Sequence, residues 1–341
     1  MKLVAAVKLL PTPKQSACLR AALARCNEAA SWLAVEGHAA STYGQYDLHT
    51  IAYAALRACF GLSAQAAVRT IAKVNDAFKV NRNAAPACRR NAAQPYEDRI
   101  LRSVQCGNAV SLWTLEGRIV VPAAMGAHQQ ALLVCRKGEA DLCCVRGKWL
   151  LAVTCDVPET DRFDTSDWLG VDLGIVNIAT DSDGRVHRGA EIEHKRRRQE
   201  QRRAGLQKRG TKAARRRLRQ LAGKQARYQR HQNHGISKAL VEAAQRTGRG
   251  IALEDLQGIR DRVTARRNQR ASLSNWSFRQ LRTDIGYKAR RAGVPVIGID
   301  PRNTFRECAR CGHVDKKNRP DQATFSCASC GHNAPADLNA A

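Results

Sequence analysis

The chain has 341 residues, with 57 Lys and Arg against 30 Asp and Glu, for a formal net charge of +27 at pH 7. That length buries a substantial core and admits about two or three domains, and so large an excess of like charge calls for a polyanionic partner, nucleic acid first. No run of about 18 apolar residues occurs and the basic segments lack a bulky apolar face, which excludes membrane spans and interfacial anchors. The thirteen cysteines are odd in number and nine lie in the first 155 residues, a scatter that, with two CxxC pairs, fits a reducing, cytoplasmic setting better than a disulfide framework.

The N-terminal "MKLVAAVKLLPTPKQ" is too short in its apolar part for a signal peptide and reads as a strand ending at Pro11 and Pro13. From Gln15, the positions Leu19, Leu23, Cys26, Ala30 and Leu33 recur every three or four residues and predict an amphipathic helix. Ala-rich helical sequence continues to about Val80, broken around "STYGQYDLHT" and "FGLSAQ", so a helical module is expected over 14–85. The segments "RIVVP", "QALLVCRK" and "KWLLAVTCDV" then read as antiparallel strands. With the first strand they would form a β-domain, 1–13 and 86–160, into which the helices are inserted.

In "WLGVDLGIVNIATDSDGRVH", two apolar runs flank an Asp183-Gly184 hairpin turn. Residues 195–230 carry sixteen Lys or Arg against the single acid Glu200, with helix-compatible composition and weak points at Gly205 and Gly210. Like charges at this density are easiest to explain as phosphate contacts, the plainer reading being a solvated helix face. "RGIALEDL" predicts a strand, 258–275 a polar basic loop, 276–292 a helix and "VPVIGIDP" a further strand, an α/β alternation.

Cys308 and Cys311 are separated from Cys327 and Cys330 by fifteen residues, and a glycine follows each pair. Two such knuckles present four thiolates tetrahedrally, which suits structural zinc before an iron–sulfur cluster and leaves His313 and His332 as bystanders. A closed four-sulfur shell activates no water, so any chemistry lies elsewhere. Asp172 sits inside the apolar "LGVDLG", where a carboxylate is costly unless a cation meets it. Glu254 ends "GIALE" beside the competing Asp255, and Asp337 in "PADLNAA" reads as a metal ligand or a helix cap. If strands one and four place Asp172 and Glu254 side by side and the ribbon returns Asp337 to them, the three would hold two hard cations, Mg2+ or Mn2+, about 4 Å apart. Composition and spacing reach that far and stop.

The words "GVDLGIVNIAT", "IALEDL" and "GVPVIGIDPRNTFRECARCGH…FSCASCGHNAPADLNAA" together resemble the TnpB family of transposon-encoded RNA-guided DNA endonucleases, relatives of the compact type V CRISPR effectors. The resemblance covers about 165–341 at the level of motifs. It implies a multidomain α+β chain: an N-terminal β-barrel wedge with an inserted helical recognition module, then a RuvC-like (RNase H-like) α/β domain, 165–305 and 332–341, with a zinc ribbon inserted at 306–331. It also implies Asp172, Glu254 and Asp337 as the catalytic acids and cysteines 308, 311, 327 and 330 as the zinc ligands. The implied partners are a guide RNA from the transposon end and double-stranded target DNA beside a short motif, cut by two-metal catalysis in a prokaryotic, nucleoid-associated setting. One or two protein copies per RNA remain open. A miniature CRISPR effector and a guide-dependent DNA binder without cleavage are the competing readings.

Under this resemblance Arg196, Arg197, Arg203, Arg216 and Arg219 face the heteroduplex or guide scaffold, and Arg266, Arg267 and Arg270 belong to a lid. Arg306, ahead of Asn303, is expected at the scissile phosphate, its other reading being a local ion pair. Lys73, Lys79 and Arg82 face motif DNA or simply solvent, and Trp113 and Trp149 are core residues or base-stacking platforms. The family's chains carry a further helical stretch after the last aspartate, whereas this one stops four residues past Asp337, which predicts a frayed last ligand.

Overall fold

A computed structural model of the chain describes residues 1–104, 108–174, 176–255 and 278–341. It divides into two compact units, Met1–Pro158 and Glu159–Ala341.

In the first unit, β1 (Lys2–Leu9) is followed by three helices, α1 (Pro13–Ala39), α2 (Gln45–Ala58) and α3 (Ala64–Val80). Thr12 caps α1 through a capping box with Gln15, and Pro13 occupies the first turn, where its missing N–H costs nothing. The expected stripe Leu19, Leu23, Cys26, Ala30 and Leu33 is fully buried. Its distal part joins Leu48, Leu56, Ile71, Val74 and Phe78 in a core of the helices' own. The break before α2 is confined to residues 40–44, and "QYDLHT" is already helical.

The remaining strands are β2 (Gln94–Tyr96), β3 (Leu101–Val104), β4 (Ala109–Thr114), β5 (Gly117–Ala124), β6 (Arg136–Val145) and β7 (Lys148–Asp156), with α4 (Ala127–Leu133) between β5 and β6. They form an antiparallel near-barrel sheet in the order β2-β6-β7-β1-β5-β4-β3, so β1 lies at its centre and the three helices are an insertion after it. "QALLVCRK" is therefore not a single strand: its first half closes α4, where Ala, Gln and Leu favour a helix, the Gln129 side chain accepts from the Gly126 N–H, and Leu132 buries.

In the second unit, β8 (Trp168–Asp172), β9 (Asn177–Asp181) and β10 (Val186–Arg188) form a meander. The Asp183-Gly184 turn joins the second and third of these strands, with Gly184 at φ +83°. Two long helices follow, α5 (Ala190–Arg209) and α6 (Lys212–Thr247), then β11 (Gly250–Glu254), α7 (Phe278–Ala292) and β12 (Val296–Ile299). Gly205 stays helical, whereas Gly210 takes a left-handed φ of +63° and Thr211 caps the next helix. The sheet order is β10-β9-β8-β11-β12, with β11 parallel to both β8 and β12. Ile236, Leu240 and Ala244 of α6 and Leu281, Ile285 and Ala289 of α7 share a core with Leu169, Val171, Ile251 and Leu253. None of the α5 residues is buried.

The chain then enters a small ribbon, whose strands β13 (Thr324–Ser326) and β14 (Asn333–Pro335) pair antiparallel, and ends in α8 (Ala336–Ala340). The frayed end expected at Asp337 is not found. The short helix packs on β8 and β9, Ala336 and Asn339 are buried, and Asn339 bonds the backbone of both Glu307 and Ala309. Its anchor is Gly170, which has no side chain to hold off the carbonyl of Ala341.

Candidate metal and acid sites

The two cysteine knuckles turn at Gly312 and Gly331, both with positive φ (+70° and +67°). Cys308 N–H donates to the His313 carbonyl and Cys327 N–H to the His332 carbonyl, so each histidine serves its knuckle through the backbone. The four sulfurs lie within 4.8 Å of one another, with Cys308–Cys330 at 3.7 Å and Cys311–Cys327 at 3.6 Å. Ligands about 2.3 Å from a tetrahedral ion stand about 3.8 Å apart, so the cluster fits structural zinc. N–H groups of Cys330 and Ser329 aimed at Cys327 hold its thiol down at about 6, favouring the thiolate a metal requires.

The acids come from three elements. Asp172 ends β8 and Glu254 ends β11, the strand hydrogen-bonded beside it, with Val171 paired to Leu253 one residue earlier. Asp337 comes from α8, which the ribbon returns to the same strand end. Asp172 and Glu254 are only 2% and 4% exposed, yet Asp172 Oδ1 and Glu254 Oε2 are buried with no hydrogen-bond partner among the described residues. Burial, then the neighbouring charges of Glu254 and Asp337, push the Asp172 carboxyl up to about 7. Burial raises Glu254 as well, against a hydrogen bond from Thr304. Bare buried carboxylate oxygens facing like charge are costly unless a cation meets them, and an all-oxygen donor set suits a hard divalent ion.

Three partners of these acids carried no signal in local spacing. Thr304 donates to Glu254 Oε1 at 2.5 Å, and Asn177 Nδ2 donates to Asp337 Oδ2 at 2.8 Å. Arg319, between the two knuckles, is the cation whose charge lowers Asp172, and its guanidinium lies 4.8 Å from the centre of the Phe305 ring. Only Asn177, a polar residue inside an apolar strand word, was open to suspicion from sequence. Arg306, by contrast, is exposed, and its backbone carbonyl accepts from Asn318 within the ribbon.

The remaining candidates divide by environment. Arg196 is gripped by Glu193 and Glu200 on its own helix, and the exposed Arg197 also reaches Glu193. Arg203, Arg216 and Arg219 are exposed. Lys73 turns inward: its ammonium donates to Asn27 Oδ1 at 2.5 Å and to the Ala93 carbonyl at 2.6 Å, and burial lowers its pKa. Lys79 pairs with Asp76, and Arg82 lies over Tyr43, both at the surface. Trp149 is a buried core residue whose Nε1 donates to Ser16, and Trp113 packs half-buried against the sheet and helical cores. Arg266, Arg267 and Arg270 lie outside the described residues, as does the whole 258–275 segment. No helix among the described residues is long and apolar enough to cross a membrane.

Comparison with known proteins bears on the same segments. A family model described as "Cas12f1-like, TNB domain" matches residues 278–341, and one described as "Probable transposase" matches 152–257. The chain is 36% identical over 214 residues to the CRISPR-associated endodeoxyribonuclease Cas12f1 of Sulfoacidibacillus thermotolerans, an alignment covering 58% of this chain and 49% of that one. It is 27% identical over 218 residues to the putative RNA-guided DNA endonuclease InsQ of Escherichia coli K12, covering 57% and 52%. The chain thus spans about half the length of the curated relatives it matches. Among solved structures, the cryo-EM structure of a Cas12f1-sgRNA-target DNA complex matches with a TM-score of 0.66 at 14% identity, over 96% of this chain and 82% of that chain. CasPhi-2 (Cas12j) bound to crRNA matches at 0.59 and 11% identity, over 99% and 96%. At such identities the likeness is one of fold, while the two family models cover 152–257 and 278–341, the segments that contain Asp172, Glu254, Asp337 and the four ribbon cysteines.

Proposed function

We propose that the second unit is a RuvC-like nuclease domain and that the protein is an RNA-guided DNA endonuclease. The observation that carries this is the meeting of Asp172, Glu254 and Asp337 from three separate elements, with two buried oxygens that find no partner among the described residues. Strands one and four of the second sheet lie side by side, as the RuvC-like reading requires, and supply two of the three acids.

In this reading Asp172, Glu254 and Asp337 would hold Mg2+, which supplies activation of the attacking water and charge stabilisation at the leaving oxygen. Arg319, held by the Phe305 ring and by its own bond to the Gln322 carbonyl, offers a guanidinium to a phosphate arriving at the acids. The closed sulfur cluster plays no chemical part; it folds the ribbon that carries α8 back to the sheet. The exposed arginines of α5 and α6 contact the guide or heteroduplex backbone, where charge gives affinity and base pairing gives sequence. The first unit is the wedge with its helical module, reading a short duplex motif.

Protein purified with its co-expressed RNA, Mg2+ and a plasmid library with a randomised motif provides the test. Motif-dependent linearisation that disappears in Asp172→Ala is the expected result; DNA retention without cleavage in the wild type would leave a guided binding protein instead. A compact CRISPR effector with the same chemistry is a second reading, favoured by the 36% identity to Cas12f1. A CRISPR array beside the gene, in place of transposon ends, would decide for it.

A further inference from the structure

The acids are held by neutral groups. Glu254 Oε1 accepts from Thr304 Oγ1 at 2.5 Å, and since a hydroxyl has one hydrogen, this contact takes it ahead of the Pro301 carbonyl at 3.1 Å. A tight turn presents Thr304: Asn303 adopts a left-handed φ of +67°, and its carbonyl accepts the N–H groups of both Arg306 and Glu307. Asp337 Oδ2 accepts from Asn177 Nδ2 at 2.8 Å.

The placement of Asn177 has a backbone cause. Across β9 and β10, His187 pairs with Ala179 but Arg188 pairs with Asn177, so Ile178 is an extra residue in the ladder. In a regular strand Asn177 and Thr180 would face opposite sides of the sheet, and Thr180 is the residue paired with Asp172. A bulge breaks that alternation and re-aims the side chain beside it.

Both bonds reach far along the chain, across 50 residues for Thr304–Glu254 and 160 for Asn177–Asp337, so neither is an accident of local geometry. Both donors are uncharged. A lysine or arginine in either place would cancel the negative charge that attracts a cation, and another carboxylate would repel its partner. An amide or hydroxyl orients the carboxylate while leaving its charge intact, the usual arrangement around a ligating carboxylate.

We propose that Asn177 and Thr304 are positioning residues of the acid site, fixing Asp337 and Glu254 by one oxygen each so that the other oxygen is presented to a divalent cation. This rests on the nuclease reading. The experiment titrates the full chain with Mn2+ and follows bound ion by electron paramagnetic resonance, with Asp172→Asn as the reference for a lost site. Thr304→Val and Asn177→Leu are expected to weaken Mn2+ binding about 10- to 100-fold, and Thr304→Ser to restore it to within about threefold of wild type. Zinc content and the melting transition should stay unchanged. Where either larger variant loses that transition, Thr304→Ala and Asn177→Ala are judged by the same criteria. Wild-type Mn2+ binding in folded Thr304 and Asn177 variants, with Asp172→Asn defective, would overturn the positioning role alone. Equal binding by wild type and Asp172→Asn would overturn the nuclease reading beneath it.

Discussion

Gly170 offers the sharpest handle on how the last acid reaches its site. It lies in β8 two residues before Asp172, and a methyl group there would stand 1.4 Å from the Ala341 carbonyl oxygen and 2.6 Å from its carbon. Ordinary contact begins at 3.4 Å, so in Gly170→Ala the chain end must retreat by roughly 2 Å. Because α8 is five residues long and Asp337 sits one turn before Ala341, the helix moves as a unit and the 2.8 Å bond from Asn177 breaks. Overpacking of this kind costs about 1–3 kcal/mol, which the fold survives, whereas a displacement on the order of 1 Å in a reacting group costs about 10²-fold in rate. We expect guided cleavage in Mg2+ to fall about 10²-fold and Mn2+ affinity about 10- to 100-fold, while zinc content holds. Gly205→Ala is the control: a methyl group there meets nothing within 4 Å among the described residues, in an exposed helix, and activity should not change. Gly170→Ala with wild-type Mn2+ affinity and cleavage would refute the idea that this docking places Asp337.

Cys327→Ser should remove zinc from the protein, measured by atomic emission. It should also abolish Mn2+ binding with all three acids present, because α8 follows directly on a ribbon whose structural metal supplies about 10–16 kcal/mol in comparable peptides. Arg319→Ala should lower cleavage about 10²-fold while tightening Mn2+ binding, since it removes positive charge beside the acids; Arg306→Ala should leave both near wild type. Arg196 beside Glu193 holds that carboxyl at about 2, below its ordinary 4.5. A depressed acid stabilises the fold fully above its unfolded value, and the contribution is lost as pH falls from 4.5 towards 2. Glu193→Gln should therefore melt below wild type at pH 7, with the difference closing by about pH 2 in circular dichroism.

Much of the molecule was legible in the residues because local physics acts over a few positions. The period of Leu19, Leu23, Cys26, Ala30 and Leu33 specifies a buried helical stripe whatever it packs against, and the cysteine spacing specifies a four-sulfur cluster because each knuckle closes within a few residues. Asp172 and Glu254 stood out because charge is expensive inside apolar strands. The errors came where composition was ambiguous, as in "QALLVCRK", whose apolar run suits a strand until Gly126 and Gln129 start a helix. Lys73 looked like a surface cation because nothing nearby in sequence reveals Asn27 and the Ala93 carbonyl as its acceptors.

By itself, then, the sequence determined most of the elements, the sulfur cluster and the candidate acids. Tertiary structure alone decided that β11 lies against β8, that α8 is pinned to Gly170, and that Asn177, Thr304 and Arg319 attend the acids. The reason is one of range: periodicity and spacing encode forces acting within a turn or a strand, whereas the partners of a buried carboxylate are chosen by chain segments 50 and 160 residues away, brought together only when the sheet and ribbon close.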